Sequence, residues 1–209
     1  MKKIAPQQRR LNNFIEFNME KKIFILAGHP DTDSMCVELA NAYAEGAHTS
    51  GFDVKRTNLS EMQFDPILHQ GYRVIQELEP DLKKFQEDVR WCHHFVIIYP
   101  SWWSTMPALL KGLFDRAWLP AFAYKFLPSG FGWKRLLKGR TATVFITSDA
   151  HPWLARFLFG DNVNEIRDGI LWFAGFSPKI KKIGPVKNIS LEQRERLVEK
   201  FKKFGARSV

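Results

Sequence analysis

Apolar and polar positions follow two different periods along the chain, and the switches between them predict its elements. Ile23–Ala27 is a short continuous apolar run between Lys21–Lys22 and Gly28, as a strand buried on both faces of a parallel sheet reads. Beyond a polar loop, Ser34 stands as a helix N-cap, with Val37, Leu39, Ala40, Tyr43 and Ala44 forming one apolar face. Phe52–Thr57 follows the Ser50–Gly51 turn as a second strand, and Glu79–Arg90 reads as an amphipathic helix. The apolar run that begins at Phe95 and stops at Pro100 is a third strand. After it Pro107, Leu109, Leu110, Leu113, Phe114 and Ala117 recur at helical spacing, with Lys111, Asp115 and Arg116 among the polar positions. Arg140–Thr147 and Pro178–Ile183 are the fourth and fifth strands, and Asn162–Gly175 and Leu191–Phe204 the later helices. Strands alternating with helices imply one three-layer α/β domain around a doubly wound parallel sheet. Such sheets bind ligands at the carboxyl ends of their strands.

Two stretches at those ends carry candidate chemistry. The first is Ser101-Trp102-Trp103-Ser104-Thr105, two adjacent indoles between a strand and a helix. Aromatics mostly pack, so core filling and a ligand wall are both open on composition alone. The second runs from Gly28 to the helix that Ser34 caps. Free backbone N–H groups and the positive end of the helix dipole converge there, as at a phosphate site. Every βα unit has such a turn, and His29 also reads as an ordinary loop histidine. Pro120, Pro128, Gly130 and Gly132 suit a loop that moves to admit substrates in turn.

Composition narrows the partners. At 209 residues the chain is long enough for a full core. Its net charge of +9 is concentrated towards the two ends, and no recognised nucleic-acid fold accompanies it. We read a solvated basic surface and, second, attraction of an anionic nucleotide or an acidic membrane surface. Cys36 and Cys92 give neither a metal spacing nor a disulfide framework, which points to the cytosol. His93 and His94 precede a strand, so their side chains point to opposite faces, and no metal site is expected. Residues 1–20 read as an N-terminal extension before a domain spanning 21–209. Met19 is an alternative start, and Leu11, Phe14, Ile15 and Phe17 an alternative short packed helix.

The pattern made by Tyr99, Pro100, Trp103, Pro107, Ala108, Leu110, Lys111, Gly112, Phe114, Asp115 and Arg116 resembles the flavin-dependent NAD(P)H:quinone oxidoreductases. These belong to a flavodoxin-like superfamily that also includes regulatory subunits of bacterial potassium-efflux systems. Gly169–Phe176 matches the same family, and the likeness covers about residues 21–204. It implies a five-stranded sheet in the order 2-1-3-4-5. It implies that His29, Thr32, Ser34, Met35 and Cys36 hold a flavin phosphate, and that Pro100, Ser101, Trp102, Trp103 and Ser104 run along the flavin ring. Thr147 and Ser148 fall at the ring's pyrimidine edge, although Asp149 and Ala150 replace the family's glycines. Trp103 would wall the pocket, and Tyr124 of Phe122-Ala123-Tyr124 would donate a hydrogen bond to substrate. Phe126 stands where some members have a second tyrosine. His151 is the sole histidine where larger members carry a Tyr–His relay, and a surface histidine is its other reading. Arg194 aligns with an arginine at the adenine end of FAD, whereas the short C-terminal end leaves FMN open. The implied activity is ping-pong hydride transfer from NAD(P)H through the flavin to a quinone, by a homodimer. The alternative is a flavin-bound regulatory subunit docked on a potassium-efflux transporter.

Overall fold

The computed structural model describes residues 22–160 and 163–208. The expected extension at 1–20 lies outside the described residues. Five parallel strands form the main sheet: β1 (Lys22–Ala27), β2 (Asp53–Asn58), β3 (His94–Pro100), β6 (Thr141–Thr147) and β7 (Ser177–Ile183). Their order is β2-β1-β3-β6-β7, the expected 2-1-3-4-5 when the sheet strands alone are counted. The central strands are buried on both faces, which is why β1 and β3 are almost wholly apolar and β6 sets only threonines among its apolar residues. Edge strand β7 alternates instead, with Lys179 and Lys181 on its exposed face and Lys182 on the other.

Alternation within each strand divides the core into two layers. Phe24, Leu26, Phe95, Ile97 and Val144 face α2 (Pro80–Trp91), α3 (Ala108–Ala117) and α5, a segment wound as a π-helix over Glu165–Trp172. Ile23, Ile25, Val96, Ile98 and Phe145 face α1 (Met35–Thr49) and α6 (Leu191–Ala206). Each such fully buried side chain contributes about 1.5–3 kcal/mol relative to exposure. Helices α1 and α6 cross at near backbone contact, because a Cβ on Gly46 would lie 1.9 Å from Lys202 O. Both helices start at serine caps: Ser34 Oγ accepts from Val37 N–H, and Ser190 forms a capping box with Gln193.

Several elements depart from the sequence reading. Within the stretch read as a loop, β4 (Tyr124–Phe126) pairs with β5 (Trp133–Arg135) as a short antiparallel hairpin, leaving Pro128, Gly130 and Gly132 in its turn. A short helix, α4 (Pro152–Phe159), was not anticipated. Arg116, read as a polar helix position, is fully buried at 1% exposure. Its guanidinium donates to the carbonyls of Asp65 and Glu77 and to the Glu79 carboxylate at 2.8 Å, so it pins the loop before α2 onto α3. Gly112 permits the same approach, since a Cβ there would meet Pro66 at 2.5 Å. Among the described residues no helix is long and apolar enough to cross a membrane, and no group of three His, Cys, Asp or Glu could hold a metal ion.

Candidate flavin site

The loops that leave β1, β3, β6 and β7 share the carboxyl end of the sheet. The loop after β1 is folded by its own side chains. Asp31 N–H donates to His29 Nδ1 at 2.9 Å, and Asp33 N–H to Asp31 Oδ1 at 3.0 Å. Because Nδ1 accepts, the proton of a neutral His29 sits on Nε2, where it can serve a ligand. The loop delivers the chain to Ser34 at the head of α1. Val37 and Glu38 N–H both bond to Ser34 O, while Met35 and Cys36 precede them in the first turn, where N–H groups lack intrahelical partners. The N–H groups at this end are of the kind that suits an anion, and Thr32 stands exposed beside them.

The side chain of Cys36 has a different role. It is 2% exposed, its Sγ lies 3.5 Å from Thr147 Oγ1, and burial pushes its thiol up to about 11. Cys36 and Thr147 thus spend their side chains on each other, tying α1 to β6. Ser148 likewise bonds inward, donating through Oγ to Ala150 O at 2.8 Å.

The loop after β3 is a closed two-residue turn. Trp102 N–H donates to Thr105 O at 2.9 Å, and Thr105 N–H to Trp102 O at 3.0 Å. Trp103 and Ser104 at its tip have φ of +51° and +65°. The turn is anchored below by Ser101 N–H donating to Thr147 O at 2.7 Å. Trp102 meets the His29 ring edge-on, with centroids 5.4 Å apart, so the aromatic turn and the phosphate loop are adjacent. Pro100 ends β3 at the base of this turn, and Trp103 is fully exposed.

Tyr124 lies in a cavity of about 310 Å³ with Tyr72, Lys111, Trp118, Glu165 and Phe173. Burial raises its phenol pKa, and neighbouring Tyr72 adds to the rise. Phe126 and Phe173 meet the Tyr124 ring edge-on at 5.2 and 5.1 Å and fix its plane. His151 is not in this cavity. It borders a larger one of about 590 Å³ with Lys182, Lys187, Gln193, Leu197 and Lys200. Arg194 sits on α6 with its Nε 2.7 Å from Glu38 Oε2, bridging to the first turn of α1. The structure therefore brings His29, Ser34, Met35, Cys36, Trp102 and Thr147 together, and sets His151 apart from Tyr124. Sequence reading passed over Glu165, which accepts from Thr105 Oγ1 at 2.5 Å, because it lay in a helix read as purely structural.

Residues 21–182 match a protein family described as having a flavodoxin-like fold. The chain is 28% identical over 115 residues to the uncharacterized NAD(P)H oxidoreductase YcaK of Escherichia coli, covering 50% of this chain and 56% of that protein. It is 32% identical over 109 residues to an uncharacterized NAD(P)H oxidoreductase of Haemophilus influenzae, covering 48% and 52%. The match thus spans about half the length of each of these two relatives. A longer alignment, 24% identical over 202 residues, reaches the human ribosyldihydronicotinamide dehydrogenase [quinone], covering 84% of this chain and 86% of that one. Among solved structures, Smu.1420 from Streptococcus mutans superposes with a TM-score of 0.74 at 26% identity, covering 89% of this chain and 99% of that one. The NAD(P)H:quinone oxidoreductase from Methanothermobacter marburgensis also gives 0.74, at 22% identity and 90% and 98% coverage. With its sheet order, its aromatic turn and more than half its length matched, the chain belongs to the flavodoxin-like fold family, among relatives named as NAD(P)H and quinone oxidoreductases.

Proposed function

We propose that the protein is a flavin-dependent NAD(P)H:quinone oxidoreductase working by a ping-pong scheme in one pocket beside the Trp102–Thr105 turn. The observation that carries this reading is the contact of Trp102 with His29, which joins an aromatic turn to an anion-ready helix terminus at one end of the sheet. The donor set fits a flavin: neutral N–H groups of Met35 and Cys36 with His29 Nε2 for phosphate, and an exposed indole for a planar ring. When bound, the flavin supplies two-electron hydride chemistry, and the protein supplies orientation and electrostatics.

NAD(P)H and the quinone would use the pocket in turn, the hydride accounting for two electrons and one proton of the hydroquinone and solvent for its second proton. Trp103 walls the pocket and limits access to one face. Ser101 and Ser104 flank the indoles as polar contacts, and Thr147 supports the turn through its carbonyl. Tyr124, a phenol that donates through its O–H, gives a hydrogen bond to a quinone or nicotinamide carbonyl. Tyr72, Phe126 and Phe131 are exposed aromatics, and we take the working form to be a homodimer.

We take the flavin to be FAD. Arg194 and Glu38 join the start of α6 to the head of α1, and Gln193, next to Arg194, borders the lysine-lined cavity. Lys182, Lys187 and Lys200 favour a diphosphate there, and His151 becomes a neighbour of the nucleotide rather than a relay to substrate. The test is mass identification of the cofactor released by heat, paired with NADPH:menadione turnover and sedimentation. FAD, turnover and a dimer are expected. FMN would overturn the cofactor assignment, and absent turnover by flavin-loaded protein would overturn the enzyme.

A further inference from the structure

The Trp102–Thr105 turn holds two side-chain-bearing residues in the left-handed region, and one of them is a tryptophan. Bulky residues are outliers there and persist only where their surroundings over-determine the backbone. The sheet and the phosphate loop supply part of that restraint, through Ser101 N–H on Thr147 O and the Trp102 edge on His29. The rest comes from the opposite side: Thr105 Oγ1 donates to Glu165 Oε2 at 2.5 Å. Of these ties the Glu165 bond is the one with a charged acceptor, and charge-assisted bonds are the stronger kind.

Glu165 is placed for this by the winding of α5. Ile166 and Ile170 are buried against the core, while Glu165 opens the π-helical stretch at the rim. Such wide turns recur at functional sites. The same carboxylate borders the cavity of Tyr124, so one group touches the aromatic turn and faces the substrate cavity at once.

We propose that Glu165 is a positioning residue that latches the Trp102–Thr105 turn in its left-handed form and so presents Trp103 and the turn's N–H groups to the flavin ring. It acts through Thr105 and touches no reacting atom. This inference rests on the flavin reading above for its consequence, but the latch itself exists in the flavin-free protein.

The experiment titrates FAD and FMN into flavin-free protein, following quenching of flavin fluorescence, for wild type, Thr105→Val, Glu165→Ala, the double variant and Glu165→Gln. Hydrogen exchange of the segment 101–106 is measured on the same proteins without flavin. Each single removal should weaken binding about fivefold, the worth of one hydrogen bond. The double variant should lose no more than either single, because both remove one shared contact. Exchange over 101–106 should rise in all three, and Glu165→Gln, which keeps an acceptor, should restore most of both signals. Additive losses in the double variant, or unchanged affinity and exchange in the singles, would overturn the latch. Thr105→Val, a near-isosteric change at an exposed position, decides the matter alone should Glu165→Ala not fold. A wild type that binds neither flavin sinks the flavin reading, and the exchange arm then still judges the latch: a rise supports it, and no rise overturns it.

Discussion

Trp118 and Trp103 stand at the two ends of one helix-loop unit and meet opposite surroundings. Trp118 is buried at the end of α3, with Nε1 donating to Ile170 O at 3.0 Å and the rings of Phe114, Phe122 and Phe176 around it. Trp103 is fully exposed at the tip of a turn whose φ of +51° a tryptophan seldom adopts. The interior indole satisfies its one polar atom and fills space, which is what stability asks of it. The rim indole gains nothing from packing and sits in unfavourable backbone, which makes sense only if something else is to lie against it. The core therefore stabilises the fold, and the rim spends part of that stability on a waiting surface.

Substitutions can break this contrast, beginning with the interior. Trp118→Ala should cost about 3–5 kcal/mol through lost burial and the cavity left behind. Arg116→Met should cost roughly 1–3 kcal/mol, because the carbonyls of Asp65 and Glu77 lose their donor while Glu79 keeps the Asp65 N–H. Denaturant unfolding reads both. Arg116→Met also has an acid signature. Burial pushes the Glu79 carboxyl up, but its hydrogen bonds and the Arg116 cation outweigh burial and hold it below its ordinary value. Its folded pKa is lowered, so its contribution is complete above the ordinary carboxylate value and is lost as pH falls through the lower folded one. The variant should lose that portion of acid sensitivity in unfolding curves taken across the acid limb.

Smaller effects belong to the rim. Ser34→Ala removes the cap that accepts from Val37 N–H and should cost about 1 kcal/mol, with a parallel loss of flavin affinity as the head of α1 frays. Trp103→Ala should leave stability within about 0.5 kcal/mol of wild type. The same variant should weaken flavin binding about three- to tenfold, the worth of one aromatic contact. A Trp103→Ala protein that unfolds early would erase the contrast with Trp118. Least of all should change with thiol reagents at pH 8. Burial pushes Cys36 up to about 11 and Cys92 up to about 12, so neither should label until the protein unfolds.

The strands β1 and β3 were legible because burial on both faces leaves a nearly continuous apolar run, and β6 through its β-branched and aromatic residues. The head of α1 was legible because its cap and loop chemistry are local. The hairpin β4–β5 was not, since strands of three residues are too short to show a period. The burial of Arg116 was not legible for a related reason. Next to Asp115 it looks like a solvated face, and the groups that bury it come from Asp65, Glu77 and Glu79, far back in the chain. The tie between Thr105 and Glu165, sixty residues apart, leaves no pattern in either segment. Of the site, local devices could be read in advance and the contacts between loops could not.

The central claim is that the rim is a flavin surface, and an absorbance spectrum of the purified protein under argon tests it most directly. The account predicts visible flavin bands that bleach when NADPH is added and return on addition of menadione. A colourless protein that neither takes up added FAD or FMN nor oxidises NADPH would contradict it.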